Sequence, residues 1–295
     1  PQDTSITADK ANRVVFRFAP NVEMQVSAVS QRLLALGKKW YFIVNDFAYG
    51  KDCYARLSGR LKRAGGQEMG SDLLPLGTND YSSSLTKVRN SGADVLVLCL
   101  GGFDGAKTAK QFVDFGLHKQ MKLGGVSGSM EDYYWKAVPT DELAGSTFAV
   151  NWAPSVSDSS RALARKLKAI THDSPSSRYY FPYVCTMQLI ERMHAAGTTK
   201  TDALIAAFSD HKFEAYKASA GIWRACDHQA VTDEYAGAIL SSKAREKADF
   251  MFDVVGEVPG VNAAGRCNDA DAAAATVAMG AQKVPERNGY EAKKV

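Results

Sequence analysis

The chain has 295 residues, of which 45% are hydrophobic and 23% charged, and a formal net charge of +4 at pH 7; it can bury one large core or two ordinary ones as a water-soluble globular protein. The charge is too mild, and lysine and arginine too dispersed, to track phosphates, so composition argues against a nucleic-acid partner. No apolar run reaches bilayer length, and "PQDTSITADK" lacks the charged start and apolar middle of a signal peptide; the chain is either cytoplasmic or a mature or truncated form.

Short apolar runs alternate with amphipathic segments from Val14 to Ser127, the pattern of βα units in a mostly parallel sheet. "VVFRFA" (Val14 to Ala19) reads as a strand. Val22, Met24, Val26, Val29, Leu33, Leu34 and Leu36 then share a helical face that stops at Gly37. "WYFIV" (Trp40 to Val44) reads as a strand covered on both faces. Tyr54, Leu57, Leu61 and Ala64 predict a helix ended by Gly65 and Gly66, followed by a strand at "SDLLPL" and a short helix in "GTNDYSSSLTKVRNSG". "ADVLVLCL" (Ala93 to Leu100) is the clearest buried strand. The next helix carries Ala106, Ala109, Phe112 and Val113 and ends near Gly116, before "KLGGVSGS".

Beyond the strand in "GSTFAVNWAP", helices dominate: Ser159 to Thr171, Tyr183 to Ala196 and Thr201 to Ser209. Strands return at Gly221 to Ala225, Ala236 to Leu240 and Phe250 to Val258. "DADAAAATVAMGAQ" predicts an exposed helix, and "PERNGYEAKKV" a loose tail.

In a parallel sheet the loops at the carboxyl ends of the strands form the crevice that ligands use. Three such loops stand out: "NDFAYG", with Tyr49; "GGFDG", with Gly102, Phe103 and Asp104; and "GVSGSMED", with Ser127 and Ser129. Glycine admits close backbone approach, the aromatic rings offer flat apolar walls, and a serine donates to a carboxylate. The plainer alternative makes the glycines turn residues, Asp52 a helix N-cap, and Ser129 with Asp132 a capping box. "GVSGS" departs from the nucleophile elbow at Ser129, where glycine is required. The five histidines (His118, His172, His194, His211, His228) have no metal-ligand spacing, and neither a GxxxxGK[ST] loop nor a GxGxxG fingerprint follows any strand. No cofactor is expected. The five cysteines (Cys53, Cys99, Cys185, Cys226, Cys267) stand singly, which leaves the compartment open.

The segments "KKWYFIVNDFAYGKD", "LGTNDYSSSLTKVRNSGADVLVL", "AKQFVDFGL", "YVCTMQLIERMHAAG", "WRACDHQAV" and "FDVVGEVPG", in this order and spacing, resemble the type I periplasmic solute-binding proteins of ABC importers. That group includes the leucine/isoleucine/valine-binding proteins, and the texture is nearer the branch that takes aromatic acids, amides and other small organic acids. The resemblance implies an α/β fold of two doubly wound parallel-sheet lobes joined by hinge strands. It also implies a solute held between the lobes, closure by hinge rotation, a periplasmic location, a membrane permease as partner and no catalysis. It places Tyr49 and Phe103 in the cleft and puts Ser127 where amino-acid-binding relatives carry a glutamate for the ligand ammonium. A hydroxyl lacks that charge, which turns the expectation away from an α-amino acid. Trp152, at the exit of a hinge strand, would add an aromatic wall or simply pack the hinge. Cys226 and Cys267 match family positions, implying a disulfide between them or to a cysteine outside the sequence.

The same resemblance implies that roughly the first hundred residues of the first lobe precede this sequence, leaving that lobe incomplete. Residues 1–150 would form the second lobe, 151–249 the returning half of the first, 250–262 a strand crossing back and 263–295 a tail. The function expected is solute capture for transport; a ligand-sensing regulatory domain of the same fold and an α/β hydrolase are the alternatives. Loss of ester turnover in Ser127→Ala would mark the hydrolase.

Overall fold

The computed structural model describes residues 2–126, 128, 138–248, 250–267 and 269–280. The first unit begins with α1 (Val22–Leu36), capped by the Asn21 side chain, which accepts from the Met24 amide at 2.8 Å, and ended at Gly37. It feeds β1 (Lys39–Asn45), whose alternate residues serve two cores. Tyr41 and Ile43 face one, while Trp40, Phe42 and Val44 face the other. There follow α2 (Ala48–Arg63), β2 (Gln67–Leu74), α3 (Ser82–Asn90), β3 (Val95–Cys99), α4 (Phe103–Asp114), β4 (Lys122–Gly125) and β5 (Thr147–Val150).

Among the described residues these strands join two later ones, β9 (Glu234–Ile239) and β10 (Phe252–Val258), in a seven-stranded sheet of order β10-β9-β5-β4-β3-β1-β2. The pairs β1–β2, β1–β3, β3–β4 and β4–β5 are parallel, and β5–β9 and β9–β10 antiparallel. α1 and α2 cover one face, α3 and α4 the other. This is the α/β, mainly parallel doubly wound architecture expected from the alternation of elements.

The second unit holds α5 (Asp158–Thr171), α6 (Ser177–Ala196), α7 (Thr201–Phe208) and a small antiparallel sheet of β6 (Lys212–Phe213), β7 (Gly221–Trp223) and β8 (Ala230–Val231). Its core is aromatic: Phe18, Trp152, Tyr180, Phe213 and Trp223 pack with Leu163 and Leu167. α8 (Ser242–Ala248) lies between β9 and β10, while α9 (Gly260–Ala263) and α10 (Ala270–Gly280) follow β10.

Several sequence expectations are corrected. Val14 to Ala19 is not a strand; Arg17 makes one isolated parallel bridge, to Gln229. The alternation there is real but serves packing. Phe16 and Phe18 enter the second unit's core, and Arg17 points the other way, where it donates to Gln229 Oε1 at 2.7 Å, to the Asp3 carbonyl and to the Thr7 hydroxyl. Burial pushes the Arg17 guanidinium down to about 10. The "SDLLPL" strand instead runs over Gln67–Leu74, ending before Pro75, which has no amide hydrogen for a ladder. α6 begins at Ser177 rather than Tyr183 and carries Pro182 inside it, because Tyr180 and Val184 bury one face in the aromatic core and outweigh the lost backbone bond. The alanine-rich helix is not wholly exposed: Ala275 is buried, and the Thr276 hydroxyl donates to the Cys226 carbonyl at 3.0 Å.

Boundaries between the units are crossed repeatedly. Residues 16–18 pack in the second unit although they precede α1, and β9 lies in the large sheet although it falls within 151–249. At the Thr232–Glu234 crossing a fully buried ion pair forms: Lys217 Nζ lies 3.2 Å from Glu234 Oε1 and also donates to the Thr232 hydroxyl and the Asp233 carbonyl. The Asp233 carboxylate accepts from the amides of Ser219 and Gly260, fastening the segment after β10 to the same point. Two disulfides are present. Cys53 of α2 is joined to Cys99 of β3, and Cys226 to Cys267, with Cα–Cα distances of 5.6 and 5.9 Å.

Candidate functional site

The order of the large sheet fixes where a ligand crevice should lie. β1 has β2 on one side and β3 on the other, so the winding reverses between β1 and β3, and loops leaving their carboxyl ends splay apart at that point. Those loops are Asp46–Phe47 and Leu100–Gly102, both named by the sequence pattern.

Asn45, the last residue of β1, is fully buried and ties them together. Its Nδ2 donates to Asp104 Oδ2 at 2.9 Å, and its Oδ1 accepts from the Gly101 amide at 2.9 Å. Asp104 Oδ2 also accepts from the Gly77 amide at 2.8 Å, bringing in the loop after β2. The same face of α4 continues the clamp. Lys107 Nζ meets Asn79 Oδ1 at 2.7 Å and lies 3.9 Å from Asp104; Gln111 donates to the Asn79 carbonyl and accepts from the Tyr81 amide. Burial, and secondarily the Asp104 charge, push the Tyr81 hydroxyl upward.

The predicted site residues separate into groups. Gly102, Phe103 and Asp104 form the start of α4 at the crevice; Gly102 has φ 61, and Phe103 is 53% exposed. Asp104, at 2% exposure, faces the protein and holds loops. Tyr49 lies at this edge but offers no wall: it is 6% exposed, its hydroxyl donates to Gln25 Oε1 at 3.2 Å and accepts from the Gly128 amide at 3.0 Å. Gly50 follows because its α-carbon abuts the Asn45 carbonyl, where a Cβ would collide. Phe47, half-buried and packed on Tyr49 with ring centroids 6.0 Å apart, is the aromatic this loop turns outward. Trp152 is 1% exposed, stacks on Tyr180 at 5.1 Å and donates to the Tyr216 carbonyl at 2.9 Å, so it packs the second unit. Asp52 is not an N-cap, since α2 starts at Ala48; it accepts from the Thr4 amide and from Arg56. Ser127, Ser129 and Asp132 lie outside the described residues.

Sequence reasoning missed Asn45 and Phe47. An asparagine ending an otherwise apolar buried strand is a readable signal for the first; the second required knowing which residue of the strand-to-helix turn faces out. A cavity of about 600 Å³ lies elsewhere, between the outward face of α1, α2, the end of β10 and the segment after it. Three of its five arginines are paired. Arg56 pairs with Glu23 and Asp52, Arg60 with Glu23, and Arg224 with Asp227 and the Gly265 carbonyl. The switch point between β1 and β3 is where open parallel sheets take their ligands, and on that ground the crevice there is the better candidate. Among the described residues no group of His, Cys, Asp and Glu is placed to hold a metal, and no helix is long and apolar enough to cross a membrane.

A sequence profile described as periplasmic binding protein matches residues 3–244. No curated protein matches the chain. Among solved structures, a periplasmic binding protein from Burkholderia mallei aligns over 88% of this chain and 69% of its own, at 24% identity and a TM-score of 0.80. A branched-chain amino acid ABC transporter periplasmic ligand-binding protein from Burkholderia xenovorans aligns over 89% and 70%, at 27% identity and a TM-score of 0.75. A solute-binding protein of an ABC transporter from Rhodopseudomonas palustris, in complex with 3,4-dihydroxybenzoic acid, aligns over 83% and 67%, at 18% identity and 0.74.

Proposed function

We propose, for a chain that belongs to the periplasmic binding protein family, that it is the solute-binding component of an ABC importer. In this reading it captures a small carboxylate-bearing solute and presents it to a membrane permease, without catalysis. The observation that carries the reading is the switch point between β1 and β3, where Phe103 is exposed at the start of α4, Phe47 is half-buried against Tyr49, and three loops are tied together beside them. Flat rings at such a point suit an aromatic solute. The structures with similar folds include complexes with 3,4-dihydroxybenzoic and p-hydroxybenzoic acids beside proteins named for amino-acid transport, so both solute classes enter the test. Closure would turn on the crossings at residues 18–21, 150–153 and 231–234. Two disulfides suit an oxidising compartment, and we place the protein in the periplasm on that ground and on its family.

The test is thermal unfolding of the full protein with 4-hydroxybenzoate, 3,4-dihydroxybenzoate and L-leucine. A bound solute at 100 times its Kd stabilises by about 2.7 kcal/mol, which for a chain of this size raises Tm by roughly 4–5 °C. The aromatic acids are expected to give the larger shift. Absence of a shift with all three would overturn the reading.

Phe103 supplies a further test of where the solute sits. Phe103→Ala removes an exposed ring, so Tm without solute should change by less than about 1 kcal/mol equivalent, whereas affinity for the stabilising acid should fall about tenfold. Calorimetric titration reads this directly, and unchanged affinity would move the site away from α4.

A further inference from the structure

We infer that Asn45 and Asp104 act as a positioning pair that holds three loops of the crevice, after β1, β2 and β3, in one fixed arrangement and thereby sets how Phe47 and Phe103 face a solute. The inference rests on the solute-binding reading for its consequence, but its structural content stands apart from it.

Both side chains are buried; Asn45 holds the segment after β3 at two points, and Asp104 ties that segment to the end of β1 and to the loop after β2. Asn45 bonds Asp104 with its amide nitrogen and the Gly101 amide with its oxygen, so the end of β1 is fastened to the loop after β3. Asp104 bonds the Gly77 amide with the oxygen that receives Asn45, which fastens the loop after β2 to the same point. A buried carboxylate bonded on one side by an amide and flanked at 3.9 Å by Lys107 is a charge-assisted contact, and removing one partner leaves the others unsatisfied. Gly101 carries the consequence to the aromatics: a Cβ there would lie 3.2 Å from the Phe47 ring, so the backbone fixed by Asn45 is the surface on which Phe47 rests. Phe103 is the residue next to Asp104 and moves with it. A role in packing alone would not require Asp104, in the first turn of α4, to receive hydrogen bonds from both the end of β1 and the loop after β2.

The pair is chemically exchangeable, which makes a decisive experiment available. Asn45→Asp sets two carboxylates against each other. Asp104→Asn removes the charge but keeps the shape. The double exchange restores one amide facing one carboxylate and keeps an acceptor for the Gly101 amide, while the Gly77 amide, which shares the Asp104 oxygen with Asn45, then meets the new amide nitrogen and loses its acceptor. Hydrogen exchange on the full protein should show residues 46–50, 75–81 and 101–105 opening together in Asn45→Asp, about tenfold faster or more, with β1 and β3 unchanged; in the double variant 46–50 and 101–105 should close again while 75–81, whose Gly77 amide has lost its acceptor, stays open. Affinity for 4-hydroxybenzoate, 3,4-dihydroxybenzoate and L-leucine, whichever stabilise the wild type, should fall at least about tenfold in Asn45→Asp and return to within about threefold in the double variant. A loss of stability with unchanged affinity would make the pair merely structural and overturn the inference. So would opening confined to the mutated residue, or a double variant no better than Asn45→Asp. If Asn45→Asp does not fold, folding of the double variant is the rescue, and its failure to fold is the refutation. If the wild type takes none of the three probes, the solute reading fails by itself, and the exchange pattern still upholds or refutes the shared clamp.

Discussion

Lys217→Met should lower the stability of the protein by about 3–5 kcal/mol at pH 8, the cost of leaving a buried carboxylate without its cation. Lys217 Nζ and Glu234 are each 1% exposed in their side chains, and the ammonium is surrounded by the Thr232 hydroxyl, the Asp233 carbonyl and Glu234. Burial pushes Lys217 down and Glu234 up to about 7, with the ion pair opposing both shifts. For a carboxyl whose folded pKa is raised, the stabilising contribution is fully present below its unfolded pKa and is lost as pH rises through the folded value. The deficit of Lys217→Met relative to the wild type should therefore be largest above pH 7 and shrink toward pH 5, where Glu234 is protonated. The double variant Lys217→Met with Glu234→Leu removes both charges and should recover most of the loss. Urea unfolding at pH 5 and pH 8 measures all of this. A deficit below about 1 kcal/mol at pH 8, or one that grows toward pH 5, would contradict the buried pair.

Replacing the Cys53–Cys99 disulfide, as Cys53→Ala with Cys99→Val, should cost about 4 kcal/mol at 25 °C. Sequence separation is 46 residues, and the chain entropy released in the unfolded state by opening a loop of that length sets the figure. Both sulfurs lie in the core between α2 and the large sheet, and the substitutions keep the site apolar, so the loss should not be inflated by a buried polar group. The bond joins the helix that follows Phe47 to the strand that precedes Gly101, and so spans the crevice from beneath. Chemical denaturation of the variant against the wild type, without reductant, gives the difference; a loss under about 1 kcal/mol would show that the unfolded chain keeps these segments together by other means.

How much was legible follows from which forces are local. α1, α2 and α4 carry a helical period, β1 and β3 are short unbroken apolar runs, and the structure places all five within a few residues of the pattern, because burying those residues is what forms them. Val14 to Ala19 has a strand's alternation without a strand's partner, and no local pattern distinguishes a ladder from side chains that alternate between two environments. β6 and β8, two residues each, are too short to carry any period. The crevice was half legible: the loops could be named because they follow readable strands, but Tyr49 and Phe47 sit two residues apart in a strand-to-helix turn, where neither period applies. Asn45 and Asp104 are 59 positions apart, and the Cys53–Cys99 pairing spans 46; only the winding of the sheet brings such partners together.

The bond between Cys226 and Cys267 closes a ring that contains β8, β9, α8 and β10 and passes twice between the two units, at Thr232–Glu234 and at Val258–Gly260. Within that ring the most exposed element is α8, with no buried residue. A peptide bond broken there would leave no loose end: the two fragments would remain one covalent object, held at the far side of the ring as well as by the β9–β10 ladder. A chain cut between its last two long strands would thus stay in one piece, as a cut belt does while its buckle is fastened.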